Sequence, residues 1–221
     1  MSATEALHRA LDQCSLIAIL RGLRPEEAGA IGRVLYDAGF RVIEVPLNSP
    51  EPLQSIRILR DSLPDDAIVG AGTVLRPESC AEIANAGGQI VVMPHADPVV
   101  IRAAKAAGLA CAPGVATPTE AFAALAAGAD VLKMFPAETL GPVALRAWRA
   151  VLTPPIAIVP VGGVDEVSIA GYVAAGASGF GLGSPLYRPG DTAMQVAERA
   201  AALIHAWRTA TGRAWFPSIS K

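Results

Sequence analysis

LACAPGVATPTEAFAALAAGADVLKMFP, residues 109–136, holds one full period of the pattern that decides the fold. An apolar run at Ala110–Ala112 is followed by an alanine-rich segment ending in Ala-Ala-Gly at Ala126–Gly128, and a second apolar run follows at Val131–Lys133. Apolar runs without alternation read as strands covered on both faces, and a glycine just past a helix supplies the left-handed residue that caps it. Outward from this stretch the unit recurs. Strand-like runs stand at Leu16–Leu20, Val42–Val45, Ile68–Ala71, Ile90–Met93, Ile156–Val161 and Gly179–Leu182, and further helix ends at Asp37–Gly39, Asn85–Gly87, Ala106–Gly108 and Ala174–Gly176. The strand starts lie about 20–26 residues apart, the length of one strand–helix unit. Eight such units predict an α/β fold, a single (β/α)8 TIM barrel, ahead of an open doubly wound sheet with its usual five or six strands. Residues 1–15 read as an extra N-terminal helix with Ala6, Leu7, Ala10 and Leu11 on one stripe. The chain 1–221 reads as one domain; its tail, 211–221, holds Trp215, Phe216 and Pro217 and is either a docking segment or a mobile end.

Composition narrows the class. Hydrophobic residues make up 52% and charged residues 17%, enough apolar surface to offset the ordering entropy of a folded chain. The longest uncharged stretch, Val167–Tyr187, is broken by Gly171, Gly176, Gly179, Gly181, Gly183 and Pro185, a poor spanning helix. MSATEALHRALDQ lacks the basic-then-apolar layout of a signal peptide, so a cytoplasmic protein without membrane association is expected. A net charge of −2 with no basic–aromatic interleaving gives no nucleic-acid footprint. Cys14, Cys80 and Cys111 are too scattered for a disulfide framework or a zinc site and read as buried apolar residues.

In a barrel, chemistry gathers at the carboxyl ends of the strands. There the sequence places Arg21, Glu44, Thr73, His95, Pro113, Lys133, Gly162–Gly163 and Gly183–Ser184. Burial of Lys133 would lower its pKa and leave a neutral amine able to attack a carbonyl carbon; a structural Lys133–Glu44 ion pair is the other reading. Two glycine motifs tilt the choice toward chemistry. Val-Gly-Gly-Val at Val161–Val164, before a helix expected to open at Asp165, and Gly-Leu-Gly-Ser at Gly181–Ser184 let backbone N–H groups approach a phosphate. Arg21 is either a fork for an anion or a surface arginine, and the Thr73 hydroxyl serves either a substrate oxygen or local backbone. His95 reads as a solvated or satisfied histidine, Glu138 and Asp165 as helix-start residues, and no cluster proposes a metal.

Six stretches also carry a resemblance: Ile-Ala-Ile-Leu-Arg-Gly, Glu-Val-Pro-Leu-Asn-Ser-Pro, Gly-Ala-Gly-Thr-Val, Leu-Lys-Met-Phe-Pro, Val-Gly-Gly-Val and Gly-Leu-Gly-Ser-Pro-Leu-Tyr-Arg. In this order, from Leu16 to Tyr187, they resemble the 2-keto-3-deoxy-6-phosphogluconate/phosphogalactonate aldolase family. Pro46–Pro50, Arg21 and the last motif are most similar to the phosphogalactonate branch, whereas Pro136–Glu138 looks like the phosphogluconate branch. The resemblance implies a class I aldolase with Lys133 as Schiff-base nucleophile and Glu44 as proton shuttle. It assigns Arg21 and Thr73 to the pyruvyl carboxylate, Asn48 to substrate choice and Phe135 to shielding the lysine. Gly162, Gly163, Gly183 and Ser184 would hold the phosphate of a small phosphorylated keto-acid. The lysine supplies the electron sink, so no cofactor is expected, and a homotrimer is implied. Two other classes stay in view: a phosphosugar isomerase or epimerase using Glu44 and Lys133 without a covalent bond, and a non-catalytic phosphosugar sensor.

Overall fold

The computed structural model describes residues 2–212. Among them the chain runs α1 (Ala3–Gln13), β1 (Leu16–Ile19), α2 (Pro25–Ala38), β2 (Val42–Pro46), α3 (Pro52–Ser62), β3 (Ile68–Gly72), α4 (Glu78–Asn85), β4 (Ile90–Val92) and α5 (Pro98–Ala106). It continues through β5 (Ala110–Ala112), β6 (Gly114–Val115), α6 (Pro118–Ala127), β7 (Leu132–Met134), α7 (Ala137–Trp148), β8 (Ile158–Pro160), α8 (Ile169–Ala174), β9 (Phe180–Leu182) and α9 (Ala193–Thr211). Every strand pair is parallel, in the orders β5-β4-β3-β2-β1-β9 and β6-β7-β8, and the sheet curls. The two ladders separate at Pro113, which has no N–H to donate. At the other seam Val161 bridges Gly181.

Local chemistry explains the boundaries. Ser2, Thr117 and Thr192 form capping boxes with Glu5, Glu120 and Gln195, satisfying otherwise orphaned N–H groups at the starts of α1, α6 and α9. Gly39, Gly87, Gly108, Gly128 and Gly176, all expected at helix ends, have positive φ there. The expected strands are present with ends shifted by a residue or two; β6 was not expected. Residues 1–15 contain the expected helix, with Leu7 and Ala10 buried. Thr211 is the last residue of α9 rather than the first of a tail, and Trp215, Phe216 and Pro217 lie outside the described residues.

Two apolar layers result. An inner cluster joins Ile17, Ile19, Val42, Ile68, Ile90, Val92, Ala110, Ala112, Val131, Val159 and Val161 to Leu7 and Ala10 of α1. An outer layer packs the opposite strand faces against the helices. The start of α1 is tied down where Thr4 Oγ1 donates to Asp130 Oδ1 at 2.7 Å and Lys105 Nζ donates to Asp130 Oδ2 at 2.6 Å. Among the described residues Cys14, Cys80 and Cys111 are buried and form no disulfide. Among the described residues no helix is long and apolar enough to cross a membrane.

Candidate active site

Side chains alternate across a strand, so the residue two beyond an inner apolar position also faces inward. On β2 that step leads from Val42 to Glu44, and on β7 from Val131 to Lys133 and then Phe135. Glu44 is 2% exposed and Lys133 8%, a carboxyl and an amine within an otherwise apolar layer. Burial pushes the Glu44 carboxyl up to about 7, against the opposing pull of Lys133 and Arg21. Burial lowers the Lys133 amine while Glu44 works the other way. Lys133 Nζ stands 4.6 Å from the centre of the Phe135 ring.

The structural ion pair, the alternative reading of these two residues, is not formed. No contact within 4.0 Å joins their charged atoms among the described residues, and Glu44 Oε2 is buried without a hydrogen-bond partner. An unpaired buried carboxyl costs least when protonated, which is the direction of its shift.

Around this pair the strand ends form a polar rim. Arg21 Nη1 donates to Asn48 Oδ1 at 2.8 Å, joining the loops after β1 and β2. Beside them Gly22 N donates to Ser49 Oγ at 2.9 Å. Ser49, part of the Pro46–Pro50 motif but without a role assigned from the sequence, ties down the loop that carries Arg21. Thr73 has φ of 54°, a left-handed conformation that is costly for a β-branched residue and concentrates at functional sites. Gly162 and Gly163 have φ of 99° and 67°, and the N–H groups of Gly163 and Ser184 take no backbone partner among the described residues. Those amides can receive an anion. The helix dipole expected to assist them is displaced: α8 begins at Ile169, because Asp165 Oδ1 accepts from Val167 N and Ser168 N in a turn that precedes it. Glu138 does stand in the first turn of α7. His95 lies beyond β4; Gly114 N donates to its carbonyl at 3.2 Å and its Nδ1 is buried without a partner. Among the described residues no group of three or more His, Cys, Asp or Glu is placed to hold a metal.

The geometry thus brings together a buried amine, a buried carboxyl and backbone amides able to receive an anion. Comparison with known proteins gives a concordant result. The family described as KDPG and KHG aldolase matches residues 7–198. A probable 2-dehydro-3-deoxy-6-phosphogalactonate aldolase of Rhizobium meliloti (strain 1021) is 49% identical over 89% of this chain and 93% of its own length. The 2-dehydro-3-deoxy-6-phosphogalactonate aldolase of Escherichia coli (strain K12) is 48% identical over 88% of this chain and 95% of its own. A solved structure described as native KDPGal superposes with a TM-score of 0.87 and 47% identity, over 90% of this chain and 96% of the other.

Proposed function

The chain belongs to the KDPG and KHG aldolase family, and from that premise we propose that it cleaves 2-dehydro-3-deoxy-6-phosphogalactonate to pyruvate and glyceraldehyde 3-phosphate through a Schiff base on Lys133. The observation that carries the mechanism is the buried Lys133 on the same inner layer as the buried Glu44, whose Oε2 has no hydrogen-bond partner and which forms no ion pair with the lysine. The neutral amine attacks the C2 ketone. Glu44 supplies the proton that lets the carbinolamine lose water, leaving an iminium. Glu44 then takes the proton of the C4 hydroxyl, the C3–C4 bond breaks, and its electrons move into the iminium to give an enamine. Glyceraldehyde 3-phosphate leaves; protonation at C3 and hydrolysis release pyruvate and restore the amine. Arg21 and Thr73 hold the carboxylate, Phe135 shields the amine, Asn48 meets the substrate hydroxyls, and the backbone of Gly162, Gly163, Gly183 and Ser184 receives the phosphate. The chemistry calls on no cofactor.

The same proposal takes the curled sheet as a closed (β/α)8 barrel of one domain with α1 at its amino end. It is supported by the continuity of β5 and β6 across Pro113 and by the Val161–Gly181 bridge. The reading extends to a cytoplasmic homotrimer, of which the trimer is what the family resemblance implies. Borohydride reduction in the presence of pyruvate tests the chemistry. A pyruvyl adduct on Lys133 is expected; no adduct, with turnover of phosphosugars, would favour the isomerase. Because Pro136–Glu138 resembles the phosphogluconate branch, both C4 epimers belong in the cleavage assay.

A further inference from the structure

Gly72, at the end of β3, has no place in the mechanism above, yet its missing side chain defines where the proton carrier sits. The Cα of Glu44 is level with Gly70 on the neighbouring strand, but its carboxyl reaches forward to the next inner position. A methyl group built on Gly72 would fall on Glu44 Oε2, Cδ and Oε1, the whole carboxyl group. Both residues are buried, so neither has a solvent-filled margin into which to move. Main-chain bonding also holds Gly72 in place, since its carbonyl accepts from Leu47 N at 2.8 Å and β2 and β3 pair from Val42–Ile68 through Pro46–Gly72.

We infer that Gly72 is a positioning residue: the empty volume above its Cα is the seat that aims the Glu44 carboxyl along the strands toward the mouth of the site, instead of across the sheet to Lys133. This rests on the aldolase reading for its catalytic consequence, though not for its packing. The seat accounts for two observations together. Glu44 Oε2 is buried without a partner, and Glu44 and Lys133 do not pair although both face the same inner layer.

The test is a double-mutant cycle. Gly72→Ala should lower kcat by about 10²-fold or more, the scale of a displaced acid–base group, with a smaller change in KM. Glu44→Asp shortens the side chain by one methylene and withdraws the carboxyl from position 72, so Gly72→Ala should cost little in that background. The double variant is therefore expected to exceed the activity of Gly72→Ala alone and to approach that of Glu44→Asp. Losses that simply multiply would overturn the inference. Thermal unfolding provides a readout independent of catalysis: Gly72→Ala should lower Tm when residue 44 is Glu and much less when it is Ala. An equal drop in both backgrounds would also overturn it. If Gly72→Ala does not fold, the Gly72→Ala/Glu44→Ala chain must fold, and failure of both counts against the seat. A wild-type chain that neither cleaves substrate nor traps pyruvate would sink the aldolase reading, while the Tm cycle would still decide the packing.

Discussion

Lys133 lies within an apolar layer beside Phe135 and makes no ion pair among the described residues, so an unbranched apolar side chain can replace it without stranding a partner there. Lys133→Met is expected to fold with a wild-type circular dichroism spectrum while losing borohydride-trappable adduct and cleavage. Near wild-type turnover would remove this residue from the chemistry. Glu44→Gln keeps the volume of the carboxyl but cannot carry its proton, and turnover should fall by about 10²–10⁴-fold while some pyruvyl adduct is still trapped. At the rim, the bond from Arg21 to Asn48 changes what a substitution at either residue reports. Arg21→Ala should raise KM for pyruvate-type ligands strongly. Asn48→Ala releases Arg21 as well as removing an amide, so a modest rise in KM should accompany the altered preference between C4 epimers. Epimers retain the hydroxyl and only move it, which limits discrimination to about 1–3 kcal/mol, or about 10–200-fold in the kcat/KM ratio. Steady-state rates with both epimers on wild type and Asn48→Ala measure it.

At the scale of elements, α1 packs on the strand starts, while the residues proposed to be catalytic lie further along the strands. Leu7 is fully buried in the inner cluster, and truncating a packed leucine removes both transfer energy and packing. Leu7→Ala should cost about 2–5 kcal/mol in denaturant unfolding and leave kcat/KM near wild type well below the melting temperature. A selective loss of activity at unchanged stability would contradict this division of labour. Helix and strand placement was readable because each signal is local: apolar runs for strands, Asp37–Gly39 and its counterparts for helix ends. The failures were local competitions. Asp165 could have capped a helix directly, but its carboxylate closes a turn first and delays α8 to Ile169. The two-residue β6 is too short to leave an apolar run, and Pro113 hides its continuity with β5.

For the whole molecule, the reach of sequence reading depends on whether a property is carried by one residue or by a meeting of several. Lys133 and Glu44 were legible as charges on apolar strands, and counting by twos from Val42 and Val131 would also have assigned their facing. That they do not pair was not legible, because it depends on the volume left over Gly72 on a third strand. The unpaired burial has a global consequence. An ordinary glutamate titrates near 4.5, whereas this one is pushed up to about 7. Between those values the folded chain holds a proton that the unfolded chain has released, so raising the pH through the window favours unfolding. Lys133 has the opposite sign: its lowered value makes the unfolded chain the better proton binder up to 10.5, so its contribution to stability grows with pH there. Glu44→Gln deletes the first effect. Below about pH 7 the wild-type carboxyl is itself neutral, so the substitution removes no charge from beside Lys133 in that range. The Tm of Glu44→Gln minus that of wild type should therefore increase from about pH 4.5 to about pH 7, the underlying slope for one proton being at most about 1.4 kcal/mol per pH unit. Scanning calorimetry across that range on both proteins measures it. A difference flat in pH would mean that Glu44 titrates alike in the folded and unfolded chains, and that burial does not hold its proton.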